Sequence, residues 1–140
     1  MVFKIICRDK KTNARIGEII TKSGKVETPF FMPVATKGAT KFLNTSQLKE
    51  IGVKIIISNA LILHLRPGEN VIKKMGGIKK FMNFYGINVT DSGGFQMYSP
   101  SIYLNSNDKG IFFRNPISGE KIFMTPEKDI EIQLEIDSDV

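Results

Sequence analysis

The chain holds one cysteine, Cys7, and one histidine, His64, in 140 residues. A single thiol forms no intrachain disulfide and excludes a multi-cysteine metal site. Cys7 lies in an apolar run and is expected to be a small core residue rather than a nucleophile. No window approaches the roughly 18 consecutive apolar residues of a membrane-spanning helix. The start, Met1–Arg8, is apolar but short and runs directly into Asp9-Lys10-Lys11. It lacks the basic start, long apolar middle and small-residue cleavage site of a secretion signal. The expected location is therefore the cytoplasm, with no membrane partner. No internal repeat, low-complexity tract or domain linker stands out.

What remains is an ordinary globular composition, 41% hydrophobic and 24% charged, long enough for one domain with a real core. The net charge of +6 is unevenly spread. Residues 1–80 carry 16 Lys/Arg against 5 Asp/Glu, whereas residues 81–140 carry 4 against 9, balances of +11 and −5. A basic half suits a phosphate backbone, and it equally suits a solvated lysine surface. Lys73-Lys74 and Lys79-Lys80 fit the polar side of a helical region.

Hydrophobic periodicity and breakers give the elements. Residues 2–7 and 15–20 predict two strands around the polar stretch Asp9–Asn13, a hairpin. Val26–Thr36, with Pro29 and Pro33 around Phe30-Phe31-Met32, predicts a short buried strand. Asn44–Ile51 predicts a helix capped by Asn44 or Thr45, with Gln47 three residues after Asn44, Leu48 and Ile51 facing inward, and Gly52 as its stop. Val53–Ser58 is β-branched and predicts a buried strand. After Arg66-Pro67-Gly68, the residues Val71, Ile72, Met75, Ile78, Phe81 and Met82 recur with helical spacing, divided at Gly76-Gly77. Ile87–Thr90 predicts the next strand. Ile111–Arg114 and Lys121–Met124 flank a Pro/Gly loop and predict a hairpin. Thr125 then caps a helix with Pro126 at its first position and a wide apolar face of Ile130, Ile132, Leu134 and Ile136. This alternation of strands and helices predicts an α/β fold with a parallel sheet. Right-handed crossovers would bring Thr36, Asn59 and Asp91 to one sheet edge.

Asp91-Ser92-Gly93-Gly94-Phe95-Gln96 carries the chemistry. A carboxylate, a hydroxyl and two glycines sit where a strand gives way to a loop, the edge at which α/β folds place their sites. The carboxylate can accept a proton or a ligand N–H. The glycines admit a flat ligand close to the backbone, and Phe95 can stack on a heterocycle. The same residues also make a good turn, because Asp and Ser bond their own backbone and Gly tolerates positive φ.

With these residues in view, the chain resembles the tRNA-guanine transglycosylases, the queuine/archaeosine tRNA-ribosyltransferase family. The resemblance rests on Phe31-Met32-Pro33-Val34-Ala35-Thr36-Lys37-Gly38, Asn59, Leu65-Arg66-Pro67-Gly68, Phe81-Met82, Thr90–Gln96, Phe113-Arg114-Asn115-Pro116 and Thr125–Gln133, in the same order over nearly the whole chain. It implies a partial (β/α)8 TIM-type barrel: an antiparallel β element over 1–27, then the first barrel strands and helices over 28–140, with a β-hairpin insert at about 111–124. The implied activity replaces a guanine in tRNA with a 7-deazaguanine through a covalent ribosyl–enzyme intermediate. Bacterial and eukaryotic members act at the anticodon wobble position, archaeal members in the D-loop with a 7-cyano base. Asp91 is implied as the proton acceptor, Ser92, Gly93, Gly94 and Phe95 as the base pocket, and Asn59 as a neighbour of that site. Asn59 reads equally well as a strand-end turn residue.

Two departures from the family pattern matter. Ile62 occupies a position the family gives to histidine, and His64 lies two residues later. If that run stays extended, residues 62 and 64 share a face. A packed or solvent-facing His64 is the other reading. Second, the family's further base-binding aspartate, its nucleophilic aspartate and its Cys/His zinc site would lie beyond Val140. No cofactor is expected within these residues, and Asp137 and Asp139 do not fill those roles. The expected partners are tRNA, guanine or a 7-deazaguanine base, and a complementary C-terminal chain or a second copy. The chain alone is expected to be inactive. The alternative is a non-catalytic tRNA-binding or partner-binding subunit of a split transglycosylase.

Overall fold

The structure, a computed structural model, describes residues 1–140. The chain opens with an antiparallel sheet of β1 (Val2–Arg8), β2 (Arg15–Thr21) and β3 (Gly24–Thr28), in that order. Asp9 turns the chain between β1 and β2, its carboxylate accepting from the Lys11 and Thr12 N–H groups at 2.9 and 2.7 Å. The expected hairpin thus gains a third strand, in which buried Val26 pairs with Ile19. Every residue of β1 is exposed, Cys7 included. The thiol is therefore not a core residue: its apolar run forms an edge strand that no other layer covers.

The buried strand expected over Val26–Thr36 does not form as one piece. Regular pairing ends at Thr28, and Phe31 is 84% exposed. Pro29 and Pro33 have no N–H to give a ladder. Pro33–Thr36 nevertheless lies beside β4 (Ile55–Asn59): Ile57 N–H donates to Pro33 O at 3.0 Å, Ala35 N–H to Ile57 O at 2.7 Å and Asn59 N–H to Thr36 O at 3.4 Å. Between them stands α1 (Thr45–Glu50), closed by the expected capping box of Asn44 and Gln47. Leu48 is buried, but Ile51 is 66% exposed, because it follows the last helical turn and leaves the inward stripe.

From β4 the chain enters α2 (Ala60–Leu65), so the run after Asn59 is helical rather than extended. Next come α3 (Glu69–Lys74) and α4 (Ile78–Met82), divided at Gly76-Gly77 as expected. Then β5 (Ile87–Asp91) pairs parallel with β4. A short α5 (Gly94–Met97) leads to an antiparallel sheet of β6 (Tyr103–Asn107), β7 (Gly110–Arg114) and β8 (Lys121–Met124). The expected hairpin insert therefore has a third strand ahead of it. Finally α6 (Pro126–Glu135) starts at Thr125, whose hydroxyl accepts from Lys128 N–H at 3.2 Å. Ile132 and Ile136 of the α6 region are buried, while Ile130 is 57% and Leu134 74% exposed. Residues two apart on a helix lie on opposite sides, so only one stripe of the expected wide face packs.

After α6 the chain returns along the far edge of β5: Asp139 N–H donates to Asn88 O at 3.0 Å and Thr90 N–H to Val140 O at 2.8 Å. Pro33–Thr36, β4, β5 and Ser138–Val140 thus lie side by side. One core cluster, including Leu48, Ile56, Leu63, Ile72 and Ile136, packs this array against the helices. A second, of Ala60, Leu61, Met97, Phe113, Met124 and Ile132, fastens the insert to α2 and α6. The fold is mixed α/β, with antiparallel sheets flanking a parallel pair, and no sheet closes on itself. No helix is long and apolar enough to cross a membrane.

Candidate functional site

The parallel register of β4 and β5 sets Asn59 beside Asp91, and the Asn59 N–H reaches Thr36 O at 3.4 Å. The three residues meet at the same end of the parallel array, as the crossover argument required. Asp91 is the last residue of β5 and is exposed to solvent. Partial burial of its carboxyl pushes its pKa above the usual aspartate value, while the Gly93 N–H beside it acts in the opposite direction. A carboxylate so placed accepts a proton more readily than an ordinary surface aspartate.

The backbone behind Asp91 is tightly specified. Gly93 has a φ of +72°, in the left-handed region, and a Cβ there would lie 2.4 Å from Leu61 Cβ and 3.0 Å from Asn59 Oδ1. Only glycine fits between α2 and the start of α5. Ser92 Oγ accepts from the Gly94 N–H at 3.2 Å. Phe95 is 89% exposed on α5, so its ring stands free rather than packed as a finished wall.

Asn59 is 3% exposed, and both ends of its side chain are engaged. Its Oδ1 accepts from the Ile62 N–H at 2.8 Å, capping α2, and its Nδ2 donates to Gln96 Oε1 at 3.5 Å. This is the turn-residue role at a strand end, together with a link to α5. His64 Nδ1 lies 2.7 Å from Glu69 Oε2, and the helical turn of α2 separates it from the side of Ile62. The shared-face reading fails because residues two apart coincide on a strand and not on a helix.

Two residues of the Thr125–Gln133 block, Asp129 and Gln133, were given no role by the sequence. Gln133 on α6 accepts from Thr90 Oγ1 at 2.8 Å and donates to Asp129 Oδ2 at 2.7 Å. This chain of contacts holds the end of β5, immediately before Asp91, to α6. Burial raises the Asp129 pKa, the Gln133 hydrogen bond opposes that, and the Asp91 charge adds to it. The available signal was the i, i+4 spacing of Asp129 and Gln133 on one helix face. Beside them a pocket of about 360 Å³ is bordered by Ser92 and Gly94. Asn59, Asp91 and Phe95 do not line it, so the predicted residues divide between the sheet edge and this pocket.

A family model described as queuine tRNA-ribosyltransferase matches residues 9–140. The chain belongs to this family. The queuine tRNA-ribosyltransferase of a Thermoanaerobacter species is 47% identical over 138 residues, covering 99% of this chain and 37% of the relative. The protein of the same name from Enterococcus faecalis is 45% identical over 138 residues, covering 99% and 36%. That of Streptococcus equi subsp. equi is 46% identical over 140 residues, covering 100% and 37%. The chain therefore spans a little over a third of the length of these queuine tRNA-ribosyltransferases. Their shared name places the family among transferases that modify tRNA. Cys7 and His64 lie on separate elements, and no three His, Cys, Asp or Glu side chains converge.

Proposed function

We propose that this chain supplies the base-handling edge of a tRNA-guanine transglycosylase, with Asp91 as the proton acceptor beside the exchanged base. In this reading Pro33–Thr36, β4, β5 and Ser138–Val140 are the first staves of a (β/α)8 barrel. Ser92, Gly93, Gly94 and Phe95 receive the flat ring, and Asn59 positions the floor under Gly93. Guanine in tRNA gives way to a 7-deazaguanine through a ribosyl–enzyme intermediate, whose formation needs a nucleophile. That nucleophile lies outside these 140 residues in this reading, so the chain alone does not exchange bases.

The observation that carries the proposal is the convergence of Thr36, Asn59 and Asp91 at one end of the parallel array, with a positive-φ glycine packed behind the carboxylate. The test is exchange of labelled guanine into unmodified tRNA by a full-length enzyme containing this segment. Asp91→Ala is expected to lose at least about 100-fold, the scale of a removed general base. Activity near that of the unsubstituted enzyme would reject the assignment, and robust turnover by the 140-residue chain would reject the placement of the nucleophile.

A second reading is favoured by the +11 balance of residues 1–80 and the bare apolar edge of β1. Here the chain is a non-catalytic subunit that binds tRNA or a partner chain. Titration with tRNA at two salt concentrations separates the two cases. Phosphate contacts require affinity to fall steeply with salt, and salt-independent binding argues against them.

A further inference from the structure

The end of the parallel pair opposite Asn59 and Asp91 gathers lysines around an exposed tyrosine. Lys54 immediately precedes β4, and Tyr85-Gly86 immediately precede β5. Five residues of extended chain, roughly 16 Å, separate this end from the base-handling edge. Two adjoining hollows here share Ser23, Phe84 and Tyr85. Lys25, Lys49 and Lys54 line one, Lys22, Lys79 and Lys80 line the other, and no aspartate or glutamate lines either. Lys22, Lys25 and Lys79 pair with Asp137, Glu18 and Asp139. Lys49, Lys54 and Lys80 are exposed and enter no ion pair. Phe84 is buried and holds this turn to the core, whereas Tyr85 is 80% exposed and adds nothing to the core. Lys49 Nζ lies 5.8 Å from the Tyr85 ring centroid, so a free ammonium and a largely open ring stand side by side.

We infer that this surface binds an unpaired RNA strand, with phosphates on Lys49, Lys54 and Lys80 and one base stacked on Tyr85. Gathered like charges repel, and a polyanion relieves that repulsion while releasing its own counterions. Every base has a π-face, so an exposed aromatic ring beside ammonium groups makes a platform that tolerates any sequence. An acidic peptide brings the charge but no ring for Tyr85, and a duplex keeps its base faces stacked. The inference goes beyond base exchange and does not depend on Asp91 acting as a base, because the two surfaces lie at opposite ends of β4 and β5.

The test titrates the 140-residue chain with a labelled oligouridylate of about ten nucleotides, a length within the usual span of single-strand sites. Fluorescence anisotropy reads affinity, and amide NMR shifts read location. Saturable binding is expected, with shifts at Gly24, Lys54, Tyr85 and Gly86. Three phosphate contacts predict a loss of affinity of roughly twentyfold between about 50 and 200 mM salt. Lys49→Gln, Lys54→Gln and Lys80→Gln together should abolish saturable binding, whereas Lys10→Gln, Lys11→Gln and Lys109→Gln, the same charge change elsewhere on the surface, should not. Tyr85→Ala should weaken binding about tenfold and remove the preference for the oligouridylate over an abasic strand of equal length. Shifts confined to Ser92 and Gly94 would put the strand on the base-handling edge, overturning this inference while leaving that reading intact. Absence of saturable binding, equal losses in the two triple variants, or equal affinity for the oligouridylate and for either the abasic strand or an oligoglutamate would also overturn it. The comparisons of ligands and of shifts on the unsubstituted chain decide the matter even if a variant does not fold.

Discussion

Asp91, the proton acceptor of the proposed reaction, is a side chain whose ionised form weakens the fold. Its carboxyl is raised by partial burial, against the pull of the Gly93 N–H. A carboxyl raised in the folded state favours folding when protonated. That contribution is full below its unfolded pKa and is lost as pH rises through the folded value, so at neutral pH the ionised group is a standing cost. Asp91→Asn should therefore melt no lower than the unsubstituted chain at pH 7 and flatten the pH dependence of its melting temperature. In a full-length enzyme the same change should remove exchange activity. The acid limb of the pH–rate profile of that enzyme should lie above the usual aspartate range, because the base must be ionised to act. A clear fall in melting temperature at pH 7 would show that the ionised carboxylate stabilises the fold, contrary to this account.

Among the elements, α2 depends on Asn59 for its first turn, since no acidic residue supports that end. Asn59→Ala should cost about 1 kcal/mol, the usual worth of an N-cap, in urea unfolding. Asn59→Ser restores a capping oxygen but not the donor to Gln96, so it should recover most of that loss. Equal stability of the Ala and Ser variants would mean that the Gln96 link, rather than the cap, is what matters. Caps also explain which elements the sequence disclosed. The Asn44–Gln47 box and Thr125-Pro126 act within a few residues, so α1 and α6 could be read locally. The strand β6, Tyr-Leu-Asn-Ser-Asn, is polar and owes its form to partners in β7, which no local pattern reveals. Ala60-Leu61-Ile62-Leu63 is apolar without a period, and such a run does not distinguish strand from helix. The edge that gathers Thr36, Asn59 and Asp91 was legible because alternating strands and helices predict parallel strands, which all end at one edge. Asp129 and Gln133 could be paired from their i, i+4 spacing, but the reach of Gln133 to Thr90 depended on how α6 packs against β5.

Across the whole molecule, the charge asymmetry that pointed to nucleic acid is partly consumed inside the fold. Lys22 pairs with Asp137, Lys73 with Glu135 at 3.3 Å and Lys79 with Asp139 at 3.5 Å, each joining the basic first part to the acidic end. These pairs differ in worth. The side chains of Lys22 and Asp137 are each about half exposed, and such pairs contribute about 0–1 kcal/mol. The Asp139 side chain is fully buried. Besides Lys79, it accepts from Ser23 Oγ at 2.6 Å and from the Asn88 N–H at 3.0 Å. It therefore ties the returning chain end to α4, to the turn between β2 and β3, and to β5 at once. Removing it strands a largely buried lysine and a backbone donor, a loss on the scale of about 3–5 kcal/mol for a broken buried pair. Asp139→Ala should thus shift the urea midpoint strongly, while Asp137→Ala should leave it within about 1 kcal/mol of the unsubstituted chain. Because Ser138–Val140 runs along the edge of β5, the Asp139 variant should also speed amide exchange at Thr90, whose N–H is bonded to Val140 O. Comparable midpoints for the two variants would mean that the chain end is held by its backbone bonds alone.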